Sequence, residues 1–449
     1  MEFESLKIPI IVSLLSFSLM ANMSIEDAWL STKTHNNTIK ASDDEISSAK
    51  LKQSSAKGMY LPSVTLTGSY THLNEPVKIE GNIDLGALPI PLPGAIPFEF
   101  DLSKQDVFLA DLHLLWPLYT GGKIDAAQDI YAAQLSESKA LAQMKKDVEF
   151  LKLVKYYYGV VVAESLYKTR LEAQKGLELH FSNAQKLKKH GQIAQIELLN
   201  AEVKLDASKI EVTKAKHKFE IASSALASIT SSAKKPISQL FIVEDMKEEN
   251  YYKDQTQQNY AGLKVLDAKE KQSASLVAIK ESSWHPEIAA FANYNLYKDD
   301  SPVMETLPTW FAGVMIKIDL IKRRDRSEEI QAAELVHSRV EHLKAQAVED
   351  LAILVEKTYK EMMAAREEYE ALGSTVSLSK ENHKLRSIAF KEGLTTSVAL
   401  VDAQMFLMGA KTKRLNAAYT FVQKLAQLSV LSGDREIFFA LEKNAQEIE

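Results

Sequence analysis

The chain has 449 residues, of which 46% are hydrophobic and 25% charged, the composition of a folded protein rather than a disordered one. Its net charge of −6 and pI of about 6.0 offer no global basic face of the kind nucleic acid demands. It has no cysteine, which removes disulfides, thiolate metal sites, cysteine nucleophiles and lipid anchors on cysteine.

In chain order, residues 1–21 come first. Ile8 to Met20 form an apolar run of signal-peptide length, too short to span a bilayer as a helix, with cleavage expected near Ala21 or Asn22. From there the twelve prolines divide the chain. None falls in 118–235 or 309–449, and both tracts are rich in Ala, Leu, Glu, Gln and Lys. Proline costs a helix interior about 3 kcal/mol, so these tracts are read as long helices. Ala333, Val336, Val340, Leu343, Ala347, Leu351 and Leu354 recur every three or four residues, a coiled-coil-like seam.

The proline-containing windows alternate with a period of two. Strands are expected at about 63–73 (SVTLTGSYTHL), 106–118 (DVFLADLHLLWPL), 287–297 (EIAAFANYNLY) and 309–320 (TWFAGVMIKIDL), each with one apolar and one mostly polar face. Residues 74–104, rich in Pro and Gly, read as a long loop between the first two strands. The strand lengths suit a two-layer sheet or a membrane barrel. Four strands cannot close a barrel, which needs about eight, so a membrane reading requires several chains to pool their strands. Trp116, Tyr119 and Trp310 near strand ends suit an interfacial aromatic girdle.

The chain is written twice. "KHGQIAQIELLNAEVKL" at 189–205 corresponds to "KEGLTTSVALVDAQMFL" at 391–407, pairing Gly191 with Gly393 and Asn200 with Asp402. "LLWPLYTGGK" at 114–123 aligns with "IKIDLIKRRD" at 316–325, and "YLPSVTLTGSY" at 60–70 with "WHPEIAAFANY" at 284–294. The expected organisation is a first repeat over 22–231, an equatorial segment at 232–258, a second repeat over 259–432 and a C-terminal equatorial segment at 433–449. Each repeat runs helix, two strands, long helix, tight glycine turn, return helix. The first long helix, from about Gly122 to Lys189, spans roughly 100 Å. The shorter helices at about 24–58 and 259–283 complete the two return helices by stacking.

On the "PLYTGGKI" strand-to-helix transition, the duplicated hairpins and the duplicated "G-x8-[ND]-A" turn-plus-helix, the chain resembles the TolC-like outer-membrane efflux proteins over about residues 24–432. The resemblance implies an α+β membrane protein and a homotrimer. Three chains then pool four strands each into a twelve-stranded outer-membrane β-barrel, continuous with a coiled-coil α-helical tunnel in the periplasm. It implies the exit duct of a tripartite efflux or type I secretion system. The implied partners are a periplasmic adaptor, an inner-membrane transporter and outer-membrane lipid, with no enzyme activity, cofactor or nucleic acid. It places a selectivity ring at Asp402, with Asn200 as its counterpart in the first repeat. Ala399 and Thr395 stand where the family often carries an acid and a basic latch residue. Gly191 and Gly393 mark the tip turns, where the adaptor docks, and Pro117, Gly121 and Gly122 the barrel-to-tunnel transition.

Rival chemistry finds little support. "TGGKI" lacks phosphate-loop spacing, and "HSRVEH" at 337–342 puts its histidines five apart, off one helix face. "IKRRDR" at 321–326 reads as a solvated band below a membrane strand. The alternative function is a periplasmic coiled-coil structural or adaptor protein without a barrel, which leaves the four amphipathic strands unexplained.

Overall fold

The computed structural model describes residues 22–83, 96–321 and 323–447; the expected signal peptide lies outside these. The order is α1 (Ile25–His35), α2 (Asn37–Ala56), β1 (Ser63–His72), β2 (Lys78–Ile83), β3 (Ile96–Asp101), β4 (Asp106–Tyr119), α3 (Lys123–Lys189) and α4 (Gln195–Thr230). Then come β5 (Phe241–Ile242), α5 (Glu249–Asn259), α6 (Ala261–Glu281), β6 (Glu287–Lys298), α7 (Pro302–Glu305), β7 (Trp310–Lys317), α8 (Arg326–Lys391), α9 (Ser397–Leu431), α10 (Glu436–Asn444) and β8 (Gln446–Glu447). The proline-free tracts form helices of 67 and 36 residues, then 66 and 35. Among the described residues no helix is long and apolar enough to cross a membrane.

The chain divides into two compact units. One takes residues 46–139 and 265–344. Its centre is an antiparallel sheet in the order β1-β4-β6-β7, which leaves β1 and β7 as edges. The register places Leu66, Leu112 and Tyr294 in one row and Trp116, Ala290 and Val314 in another. Helices of the same unit are tied by ions: Lys344 of α8 reaches Asp267 at 2.7 Å and Glu270 at 2.8 Å on α6, and Lys269 of α6 reaches Glu137 of α3 at 3.0 Å.

The other unit takes the described residues of 1–45, 140–264 and 345–449. Phe150, Tyr158, Phe241 and Phe438 meet edge to face at its core, a favoured aromatic geometry. The Tyr157 hydroxyl donates to the Met23 carbonyl (2.7 Å) and accepts from the Ile237 and Ser238 amides, so one buried phenol on α3 pins two separate segments. Arg435 reaches Asp147 at 3.0 Å while lying 5.2 Å from the Trp29 ring centroid. Burial pushes the Asp147 carboxyl up to about 6, against the pull of Arg435 and a hydrogen bond from Gln143.

Three sequence expectations are corrected. Residues 74–104 are not simply a loop: β2 and β3 pair there, Lys78 opposite Asp101 and Ile83 opposite Ile96. Alternation in KIEGNI and IPFEFD was masked by the surrounding prolines. The 24–58 helix breaks at Asn36, whose side-chain Oδ1 accepts from the Thr38 and Ile39 amides and restarts the chain as α2. The strand expected to reach 320 ends at Lys317, opposite Glu287, where β6 runs out.

Candidate functional site

The first candidate surface is the sheet. Val64, Leu66 and Tyr70 of β1, Phe108, Leu112, Leu114 and Trp116 of β4, Ile288 and Tyr294 of β6, and Trp310, Val314 and Ile316 of β7 share one face through direct cross-strand pairing. No helix of this unit covers the outer rows: Leu66 is 65% exposed and Ile316 68%. The opposite face brings together Thr65, His113 and Asn293 in one row and Thr67, Asp111 and Asn295 in the next. This is the alternation of a strand with lipid on one side and water on the other. The polar face is not uniformly polar. Towards its Ser63 end it carries Leu115, Phe291 and Met315, which alternation alone did not single out.

The transition residues sit where β4 becomes α3. β1 stops opposite Leu115, so Pro117 is paired on the β6 side alone, a position in which a missing N–H is tolerated. A register shift after Pro117 sets Tyr119 opposite Ile288 and so onto the apolar face. Trp116 donates from its indole to the Tyr60 carbonyl at 2.9 Å, and Trp310 is 66% exposed. Gly121 (φ 64°) and Gly122 (φ 86°) turn the chain through the left-handed region, and a Cβ on Gly121 would stand 2.5 Å from that of His285. The matching turn into α8 has no glycine. Asp325 caps it through the Ser327 amide at 2.7 Å, and Arg326 bonds the Asp319 carbonyl while stacking 4.8 Å from the Trp284 ring centroid. Arg326 is thus half-buried and structural, not part of a solvated band; Lys322 lies outside the described residues.

The second candidate surface is the pair of turns joining α3 to α4 and α8 to α9. Gly191 (φ 73°) and Gly393 (φ 71°) each end a long helix. The Gln192 amide donates to Leu187 and the Gly191 amide to Lys188, both at 2.9 Å. Leu394 to Ala389 (2.8 Å) and Gly393 to Phe390 (3.1 Å) repeat the arrangement. These are the paired bonds of a glycine C-terminal cap. Thr396 caps α9 through the Ala399 amide, and Arg386 donates to Thr395 at 3.3 Å. Asp402 is exposed on the first turns of α9, beside the equally exposed Val398, Met405 and Phe406; Asn200 is half-buried on α4.

Residues 253–434 match the family model described as outer membrane efflux protein. No curated protein matches the chain. The fold of the chain is similar to that of the outer-membrane channel OprN, at 14% identity and a TM-score of 0.74, covering 91% of this chain and 89% of that one. It is similar to VceC from Vibrio cholerae (13% identity, TM-score 0.72, 92% and 96% covered). It is also similar to the MtrE outer membrane channel of Neisseria gonorrhoeae (15%, 0.71, 92% and 89%).

The glycines separate two kinds of strain. Gly191 has open space around its α-carbon, so Gly191→Ala meets only the left-handed penalty, about 1 kcal/mol. Gly121→Ala must also displace His285 and costs at least about twice as much. Thermal unfolding of the two variants checks the order; equal losses contradict it.

Proposed function

We propose that the chain is one protomer of an outer-membrane exit duct, a homotrimer that passes cargo out of the periplasm for a tripartite efflux or type I secretion system. The observation that carries this reading is the sheet: one face apolar and uncovered across all four strands, with both edges open. In lipid an open edge leaves backbone groups unpaired at several kcal/mol each, so β7 of one copy must pair with β1 of the next. Three copies close a twelve-stranded barrel with the Thr65–His113–Asn293 face towards water. A coiled-coil structural protein without a barrel has no use for such a face.

In this reading the matched lengths of α3 and α8, and of α4 and α9, reflect an internal structural repeat whose helices form the periplasmic tunnel. Trp116, Tyr119 and Trp310 lie at the membrane–water interface. Pro117, Gly121 and Gly122 redirect the chain from tilted strand to helix. The Gly191 and Gly393 turns face the periplasmic adaptor, which links the duct to an inner-membrane transporter. Asp402, from three copies, forms the acidic ring of the gate, with Asn200 beside it; like charges around one axis draw in cations.

Two experiments test these assignments. Cysteines at Thr65 on β1 and, one at a time, at Phe311, Gly313 and Met315 on β7 are expected to give covalent trimers on oxidation in cells. Monomers or dimers at every position contradict closure. In planar bilayers, Asp402→Ala is expected to raise conductance and weaken block by multivalent cations about tenfold, equivalent to ~1.4 kcal/mol. Unchanged conductance and block remove Asp402 from the gate.

A further inference from the structure

Beside the two glycine turns, the hairpin α3–α4 touches the hairpin α8–α9 through a buried polar contact that the gate reading does not use. His180 of α3 is 4% exposed, and its Nε2 shares a 2.6 Å hydrogen bond with the Ser397 hydroxyl at the start of α9. Ser397 is fully buried, and its amide donates to the Glu197 carboxylate of α4 at 2.9 Å. Ser397 is therefore held from both arms of the other hairpin. The His180 ring meets Phe390 of α8 edge-on, with centroids 4.4 Å apart.

The other ring nitrogen of His180, Nδ1, is buried with no hydrogen-bond partner. His180 lines a cavity of about 100 Å³ together with Asn183, His383, Phe390 and Gln404, roomy enough for water. We propose that the His180–Ser397–Glu197 contact is a proton-sensitive clamp between the two hairpins of one protomer, released when His180 takes up a proton. Its part in opening the duct rests on the function proposed above; the clamp chemistry itself does not.

Neutral imidazole needs one donor and one acceptor partner at most, and Ser397 serves Nε2 in either role. Imidazolium is a donor at both nitrogens, and its charge then sits in a buried site where Nδ1 has no hydrogen bond from the packed helices to offset the lost solvation. Four elements surround the group. From α4 comes Glu197, whose charge favours the proton. From α8 comes His383, a second imidazole that burial also holds below the ordinary histidine range. From α9 come only the uncharged Ser397, Leu400, Val401 and Gln404, and α3 itself adds Leu177 and Asn183. For His180 burial outweighs Glu197, so the packed state binds the proton less readily than an opened one. Packing is therefore fully kept above the ordinary histidine value of 6.5 and weakens as pH falls through the lower, folded-state value.

Hydrogen–deuterium exchange of the full-length protein in detergent reads the clamp without requiring channel activity. Peptides covering 177–187 and 397–404 are expected to lose protection between about pH 7.5 and about pH 5.5, after correction for intrinsic rates. The loss amounts to roughly tenfold for each unit separating the packed and open affinities. His180→Gln, which keeps a hydrogen bond to Ser397 but does not titrate, is expected to abolish that pH dependence. Wild-type protection that is the same at both pH values overturns the clamp, as does undiminished loosening in His180→Gln. The β1–β7 cysteine pairs still report on the duct separately, so loss of one reading leaves the other standing.

Discussion

Backbone hydrogen bonding at the two edges of the β1-β4-β6-β7 sheet governs the whole arrangement. A four-stranded sheet with Leu66, Trp310, Val314 and Ile316 exposed on one face is a poor element in water, because it offers apolar surface and unpaired amides together. Placed in a bilayer, the same apolar face is satisfied at once, but the edges become intolerable. In the proposed duct, pairing between copies removes the edges and gives the polar face an aqueous interior, so that membrane insertion and oligomerisation become one event.

The helices follow a different logic. In the unit that holds Asp147 and Tyr157, a small aromatic core is fastened by a few buried polar links, each joining segments far apart in sequence: Tyr157 to Met23 and Ser238, and Arg435 to Asp147. Away from that core, in the same unit, α4 keeps many apolar side chains exposed, such as Ile196, Leu199, Val203 and Ile210. Their three-and-four spacing is that of a seam awaiting a neighbouring helix.

Alternation and proline placement made much of this legible beforehand. A period of two over SVTLTGSY and TWFAGVMIK needs nothing but side-chain polarity to identify a face, and the glycine turns within the proline-free tracts set the first long helix and both return helices almost to the residue. What stayed hidden depends on tertiary partners. The β2–β3 hairpin lay under a proline-rich composition. Asn36 breaks a helix because its side chain can cap the next one and reach Glu149 at 2.7 Å. Arg326 belongs to a basic run, and the Asp319 carbonyl and the Trp284 ring distinguish it. Nothing local marks His180, Glu197 and Ser397 as one cluster; Ser397 lies 217 and 200 residues from the other two, and the glycine turns alone hint that their helices run side by side.

In the proposed duct the four-stranded sheet closes only in a membrane-embedded assembly of three. Native mass spectrometry of the protein extracted from the outer-membrane fraction in mild detergent tests it most directly. The account predicts a single dominant species of three chains that withstands removal of the detergent micelle in the gas phase. A one-chain species recovered from the soluble periplasmic fraction contradicts it.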